Sequence, residues 1–239
     1  MREGRPLTLT ELARELDAPM SSCFSLVKAL RERGYLYSLG SRRGFYPTRK
    51  MFDVMDAISA NDPVMEVFGP VLAELRDATR ETVVLGKQQD SGIVYLAVIE
   101  GPQTIRFNAD VGQSARMHTS AIGKAILGVL DDDALRETIA GLTLQRMTRA
   151  SLTNPKELFN DIRESAKRGY HTTAGENVDD VMGIGACVLV GDEPFAIAIA
   201  GPIQRMSELR EEHARKLLKA CKRISALQSR ALDGEPADG

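Results

Sequence analysis

The segment LTLTELARELDAPMSSCFSLVKALRERGYLY, residues 7–37, carries the pattern of two short helices separated by a tight turn. Apolar residues recur at helical spacing in its first half, and Thr10 stands where an N-terminal cap is expected. Pro19 then ends the first helix, because proline restricts the residue before it and has no amide hydrogen to donate. A second helix is predicted over about 20–33, with Gly34 as its C-terminal cap.

The predicted second helix has two different faces. We expect its apolar side chains Phe24, Val27, Leu30 and, more loosely, Leu26 to point inward. The opposite face carries small polar residues and one lysine, a composition that suits a helix lying in the major groove of DNA. These residues are Ser21, Ser22, Ser25 and Lys28.

The next segment, YLYSLGSRRGFYPT at 35–48, predicts a β-hairpin, because two aromatic-rich runs flank GSRRG. Its tip carries Arg42 and Arg43, and a helix pair followed by such a hairpin is a winged helix-turn-helix whose wing contacts the DNA backbone. A purely structural role for this segment stays open, since similar helix pairs occur in proteins that never bind DNA and surface arginines are usually only solvated. The six polar and basic side chains together favour DNA binding.

Charge is distributed unevenly along the 239 residues. Ten basic and seven acidic side chains give residues 1–60 a net charge of +3, so the whole-chain value of −2 leaves −5 for the rest. A basic head on an acidic body is expected where only the head meets nucleic acid. The chain has no apolar run of the ~18–20 residues needed for a membrane span, and its first residues lack the apolar core of a signal peptide. We therefore predict a cytoplasmic protein with no membrane partner.

Cysteine and histidine spacing indicates neither a disulfide framework nor a metal site. Three cysteines are widely separated, and three histidines have no ligand-like spacing, so no metal or cofactor is predicted. The residues concerned are Cys23, Cys187, Cys221, His118, His171 and His213.

Beyond the hairpin the sequence predicts a linker helix and a larger α+β domain with a mainly antiparallel sheet. We place the winged helix-turn-helix at 1–47, the linker helix at 48–62, the body at 63–230 and a disordered tail at 231–239. Within the body, helices are predicted at 64–81, 119–130, 154–169 and 206–230, and strands at 82–88, 92–101, 105–112 and, as two strands with a turn at Gly191, 182–202.

The stretch ARMHTSAIGKAIL, residues 115–127, places a histidine, hydroxyls and a Gly-Lys pair before a helix. A phosphate-binding P-loop is excluded, because His118 stands where its first glycine is required and Ala125 where its Ser or Thr is required. Nothing nominates an oxyanion hole or a third partner for a serine nucleophile at Ser120. Thr119 and Ser120 either cap the helix or leave its amides for a small polar ligand, and local sequence favours the cap.

In order and spacing, four segments resemble the IclR family of bacterial transcription regulators: PLTLTELARELDAP…LVKALRERGYL, VGQSARMHTSAIGKAIL, LFNDIRESAKRGYHTTAGE and FAIAIAGP. The resemblance covers about residues 5–228. It implies a regulator, by family habit a repressor, of a catabolic pathway, with a GAF-like effector domain and dimers or tetramers that bind double-stranded palindromic operator DNA. The effector pocket that it implies is built from Ser120, Ala121, Ile122, Met182, Gly183, Ile184, Ala198 and Ala200.

Two departures from the family pattern bear on the pocket. Relatives that bind small carboxylates often have Ser-x-Ser where this chain has Ala198-Ile199-Ala200, and Ala174 replaces an acidic side chain commonly found nearby. A small carboxylate would lose water here without regaining hydrogen bonds. We therefore expect either an effector less polar than a small carboxylate, aromatic or amide-like, or no effector.

A third departure concerns the head, where the family normally has another helix before PLTL and this chain has only MREGR. We expect that either the true start lies upstream or the head lacks its first helix. A rival interpretation of the whole chain also stays open: a cytoplasmic enzyme or small-molecule-binding protein whose helical head is an interaction module.

Overall fold

The computed structural model describes residues 4–40 and 43–232, with side chains described as far as residue 228. Two compact units divide the chain, one ending at Pro63 and the other beginning at Val64.

The first unit contains three helices and a two-stranded antiparallel hairpin within its described residues. They are α1 (Leu9–Glu15), α2 (Met20–Glu32), β1 (Leu36–Ser38), β2 (Phe45–Pro47) and α3 (Lys50–Asn61). The two predicted helices, the turn at Pro19 and the hairpin strands are confirmed.

Helix α1 begins two residues earlier than the sequence pattern predicted. The Thr8 hydroxyl accepts a hydrogen bond from the Glu11 amide, and the Glu11 carboxylate accepts one from the Thr8 amide at 2.8 Å. The predicted cap at Thr10 was wrong, because a capping box requires an acidic residue three positions after the cap and only Thr8 meets that condition.

Helix α2 buries a narrower face than predicted. Cys23 and Val27 are buried, with Leu30 completing the same i, i+4, i+7 stripe, whereas Phe24 is 58% exposed and Leu26 is 52% exposed. The prediction that Phe24 and Leu26 point inward was wrong, because the two lie at opposite edges of the buried stripe and their side chains remain largely in solvent.

The hairpin is anchored to the chain that precedes α1. Leu7 and Phe45 exchange two backbone hydrogen bonds, of 3.2 and 2.8 Å. Gly44 makes this approach possible: its φ is +80°, and a Cβ built there would lie inside the van der Waals distance of the Leu7 carbonyl and 2.7 Å from the Thr8 amide nitrogen.

The second unit is built on a six-stranded sheet in which every neighbouring pair is antiparallel. Its order is β5-β4-β3-β8-β7-β6. The strands are β3 (Thr82–Gln89), β4 (Gly92–Ile99), β5 (Ser114–Arg116), β6 (His171–Ala174), β7 (Val181–Val190) and β8 (Glu193–Pro202).

Helices cover both faces of this sheet. Helices α4 (Pro63–Thr79), α8 (Ile203–Glu208) and α9 (Arg210–Leu232) pack through Phe68, Met206 and Leu217 into one apolar core. The other core lies on the opposite face, under α5 (Ala121–Leu127), α6 (Asp132–Gly141) and α7 (Pro155–Arg168). The predicted fold class, α+β with a mainly antiparallel sheet, is confirmed.

Three predictions for the body were wrong or incomplete. Residues 105–112 do not form a strand: Gly112 has a φ of +82°, and the Thr82 hydroxyl fixes the Phe107 carbonyl of this irregular segment at 2.7 Å. The edge strand is instead the shorter β5. The predicted C-terminal helix is divided into α8 and α9 at Leu209. Helix α6, capped by Asp131, and the polar four-residue strand β6 were not predicted.

Of the predicted disordered tail, residues 231 and 232 belong to α9, and residues 233–239 lie outside the described residues. No helix in the described part of the chain is both long and apolar enough to span a membrane.

Candidate functional site

The predicted DNA-contacting residues of α2 share one exposed surface of the helix. Ser21, Ser25 and Lys28 follow i, i+4, i+7 spacing, Ser22 lies beside them, and all four are exposed. The Ser25 hydroxyl donates to the Ser21 carbonyl at 3.0 Å, and the contact of Lys28 with Glu32 is long, at 3.9 Å, and solvated. This face is therefore accessible to a partner as large as duplex DNA.

The hairpin that was predicted to act as the wing follows this helix in the chain. Arg43 is exposed, whereas Arg42, the other predicted wing contact, lies outside the described residues. Arg31 of α2 places its guanidinium 5.7 Å from the centre of the Phe45 ring, which links the helix to the wing. Sequence reasoning missed Arg31, because a cation–π contact across a turn leaves no periodic signal.

In the body, the turn into α5 is fixed by Ser120. Its hydroxyl accepts from the Gly123 amide at 3.0 Å and donates to the Arg116 carbonyl at 2.7 Å. Ser120 is the N-terminal cap of α5, as local sequence favoured. Because its proton is already donated to a carbonyl and His118 lies 3.0 Å from the Gln145 carbonyl through Nε2, the pair is not arranged as a nucleophile and its base.

A small cavity lies where α5 begins against strands β3, β4, β7 and β8. Its free volume is about 40 Å³. Six of the eight residues predicted for the effector pocket line it: Ser120, Ala121, Ile122, Gly183, Ala198 and Ala200.

Met182 and Ile184, the other two predicted pocket residues, face the opposite core of the domain. Side chains alternate between the two faces of a strand, so neighbours of Gly183 on β7 point away from the face to which Gly183 belongs. For that reason neither side chain lines this cavity, which differs from the expectation.

Eight further residues line the cavity that sequence reasoning did not name. Most come from strands or loops distant in sequence, which is why no local pattern could find them: Val84, Tyr95, Phe107, Thr119, Thr173, Asn177, Val178 and Val181. Tyr95 is the largest polar group among them, and burial raises the pKa of its phenol. The Thr119 hydroxyl donates to Asn177 Oδ1 at 3.3 Å.

None of the described residues that line the cavity is charged. Lys124, the lysine of the Gly-Lys pair at the start of α5, is completely buried. Its ammonium donates to Asp161 Oδ2 and to Glu176 Oε1, each at 2.8 Å. Its charge is therefore taken up by two carboxylates. Desolvation raises the pKa of Glu176, and Lys124 opposes that rise.

An exposed polar helix followed by a hairpin with an exposed arginine, joined in one chain to a body with a pocket of uncharged lining, is the architecture of a DNA-binding transcriptional regulator with an effector domain. Residues 56–226 match the C-terminal domain of the bacterial transcriptional regulator IclR, and residues 1–40 match the IclR helix-turn-helix domain. The chain belongs to the IclR family, and the resemblance seen in its sequence is confirmed.

Relatives and solved structures agree with this assignment. The transcriptional repressor IclR of Escherichia coli (strain K12) is 27% identical over 224 residues, 92% of this chain and 82% of the relative. The HTH-type transcriptional regulator BhcR of Paracoccus denitrificans is 30% identical over 206 residues, 85% and 74% of the two chains. An IclR homolog from Microbacterium hydrocarbonoxydans, solved with 4-hydroxybenzoate, has the same fold at a TM-score of 0.78 and 17% identity, covering 95% of this chain and 93% of that one.

Proposed function

We propose that this regulator represses genes of a catabolic pathway, in the cytoplasm and without catalytic activity of its own, by binding operator DNA through α2 and the wing. The exposed face of α2 is the observation that carries the proposal. Small hydroxyls there permit close approach to base edges, while basic side chains contact phosphates. The proposed contacts are Ser21, Ser22, Ser25, Lys28, Arg42 and Arg43.

We propose further that the protein acts as a homodimer or homotetramer, with the domain boundaries expected from the sequence. Helix α3 supports this, because Phe52, Met55 and Ile58 are each about 60% exposed and follow i, i+3, i+6 spacing. Exposed apolar side chains at helical spacing indicate an association surface. A palindromic operator would then receive one head on each half-site.

A gel-shift titration with DNA from upstream of the protein's own gene tests this function. We expect specific retardation, with two protein chains per operator for a homodimer or four for a homotetramer. No retardation at low salt would overturn the proposal and favour an interaction module instead.

Replacing Arg43 by alanine is expected to weaken binding to all DNA sequences about equally. A phosphate contact releases counterions, so the slope of log K against log salt should fall by about 1. Arg149→Ala removes the same charge from an exposed position in the body and should leave the slope unchanged. Equal slopes for Arg43→Ala and the unaltered protein would contradict the proposed wing contact.

For the effector, we propose a neutral aromatic or amide-like molecule. The uncharged lining supports this choice, since none of the described lining residues is a cation that could compensate a buried carboxylate. The hydroxyl and amide groups of Tyr95, Thr173 and Asn177 can instead pair with a neutral polar group. The Microbacterium relative binds an aromatic acid. An aromatic ring is therefore compatible with the family fold, and the carboxylate is the part that this pocket would not favour.

Calorimetry of the full chain tests the effector class. We expect no measurable heat of binding with pyruvate or glyoxylate at millimolar concentration, and tighter binding of 4-hydroxybenzamide than of 4-hydroxybenzoate, because the amide carries no charge to desolvate. Tight binding of pyruvate or glyoxylate would refute the proposed class.

A further inference from the structure

The pocket as it stands is too small for the effector that it is proposed to bind. Small-molecule sites typically have ~300–1,000 Å³, whereas about 40 Å³ is room for little more than a few water molecules. Some part of the lining must therefore move before an effector enters.

Most of the lining cannot move easily. Strands β3, β7 and β8 lie inside the sheet and are hydrogen-bonded on both sides. Ser120 is fixed by its cap hydrogen bonds, and Phe107 by the buried Thr82 hydroxyl. Asn177 and Val178 differ, because they belong to the irregular connection between β6 and β7, and the Val178 side chain is 46% exposed.

This connection is held down mainly by side chains from elsewhere in the fold. The Glu176 carboxylate accepts from Lys124 at 2.8 Å, the Ser151 hydroxyl donates to the Glu176 carbonyl at 2.7 Å, and the Thr148 hydroxyl donates to the Gly175 carbonyl at 2.5 Å. Of these restraints only the ion pair is charged, and charge-assisted hydrogen bonds are the stronger kind.

We propose that residues 175–178 form the lid of the effector pocket and that Glu176, through its ion pair with Lys124, is the positioning residue that holds the lid closed. This role rests on the proposed function, because a lid needs an effector pocket to cover. Lys124 lies one helical turn after Ser120, so α5 carries both the wall of the pocket and the anchor of its lid.

The arrangement around Lys124 makes such a lid reversible. A buried lysine left without a partner would be strongly unfavourable, but Asp161 of α7 also binds the ammonium at 2.8 Å and stays in place when the lid opens. Glu176 in turn gains water, and its Oε2 is buried without a hydrogen-bond partner among the described residues while the lid is closed. When the lid opens, Lys124 therefore keeps its ion pair with Asp161, and the Glu176 carboxylate that leaves it becomes hydrated.

Amide hydrogen exchange of the full-length protein without any ligand tests the lid directly. Two amides are hydrogen-bonded in the closed lid, and their slow exchange therefore indicates closure. Gly175 donates to the Val181 carbonyl at 2.8 Å, and Val181 donates to the Val178 carbonyl at 3.1 Å. In Glu176→Gln, which keeps the shape of the side chain and removes its charge, we expect exchange in 175–181 to be about tenfold faster while exchange in β8 is unchanged.

Asp161→Asn is the matched control, since it removes the other carboxylate from Lys124 and leaves the lid contact intact. Its exchange in 175–181 should stay within about twofold of that of the unaltered protein. The proposal is overturned if Glu176→Gln exchanges like the unaltered protein, or if both variants accelerate exchange equally across the whole domain. Because no effector or DNA enters this measurement, its outcome is independent of the gel shift that tests the regulator function.

Discussion

Replacing Gly123 by alanine is expected to destabilise the body by about 3 kcal/mol, the upper part of the range for forcing an extra methyl group into a close-packed core. A Cβ at this position would lie 2.5 Å from Met117 Cα and 2.7 Å from its carbonyl carbon. Both neighbours are backbone atoms of the turn that leads into α5, so no side-chain rotation can relieve the overlap. The turn itself would have to shift, together with the Ser120 cap that it positions.

Scanning calorimetry of the full chain should show this loss as a lower melting temperature for the body, with Gly141→Ala as the control. Gly141 ends α6, and a Cβ there would meet nothing within 4 Å. Alanine has the higher helix propensity, so the control should be neutral or slightly stabilising. If Gly123→Ala and the control have the same melting temperature, the turn before α5 adapts to the extra methyl group with little loss of stability.

The two halves of the Gly-Lys pair illustrate what the sequence could and could not predict. The position of Thr119 and Ser120 before the apolar helix that contains the pair favoured a cap there, and the structure has that cap at Ser120. Neither the contact of Gly123 with a backbone turn nor the burial of Lys124 between two carboxylates could be predicted, because Asp161 and Glu176 are 37 and 52 residues away. Local patterns carry local geometry and do not specify partners distant in the chain.

The residues predicted for the pocket also fall into two groups. All eight residues were assigned by resemblance; those at the start of α5 and on β8 line the cavity, whereas Met182 and Ile184 on β7 face the other core. Strand alternation was available from sequence, but choosing the face required the register of β7 against β8, which pairs Gly183 with Ala200. The loop residues Asn177 and Val178 had no periodic signal at all.

Replacing Lys124 by methionine is expected to destabilise the body by about 3 kcal/mol, near the lower end of the ~3–5 kcal/mol found when one partner of a buried ion pair is removed. Methionine fills much of the same volume, so the loss arises chiefly from the carboxylates left behind. Glu176 is 8% exposed and loses the ammonium that balanced it, whereas Asp161, whose side chain is 33% exposed, retains some water. Chemical denaturation at pH 7 measures the difference.

Two double variants identify which carboxylate causes that loss. Lys124→Met with Glu176→Gln should regain most of the lost stability, because a neutral amide replaces the uncompensated buried charge. Lys124→Met with Asp161→Asn should regain much less, since Asp161 reaches solvent. Equal recovery in the two double variants would mean that Glu176 is not the group whose burial depends on Lys124.

The loss caused by Lys124→Met should also depend on pH in a definite direction. Burial already raises the pKa of Glu176, and removing Lys124 takes away the main opposing influence, so the variant's carboxyl has a folded-state pKa above its unfolded value. Such a group binds a proton more readily in the folded state, and its destabilising effect is full above the folded pKa and vanishes below the unfolded one. The gap between variant and unaltered protein should therefore narrow as the pH falls from 7 toward 4. A gap that stays constant over that range would contradict an electrostatic origin and indicate that methionine simply packs badly beneath the lid.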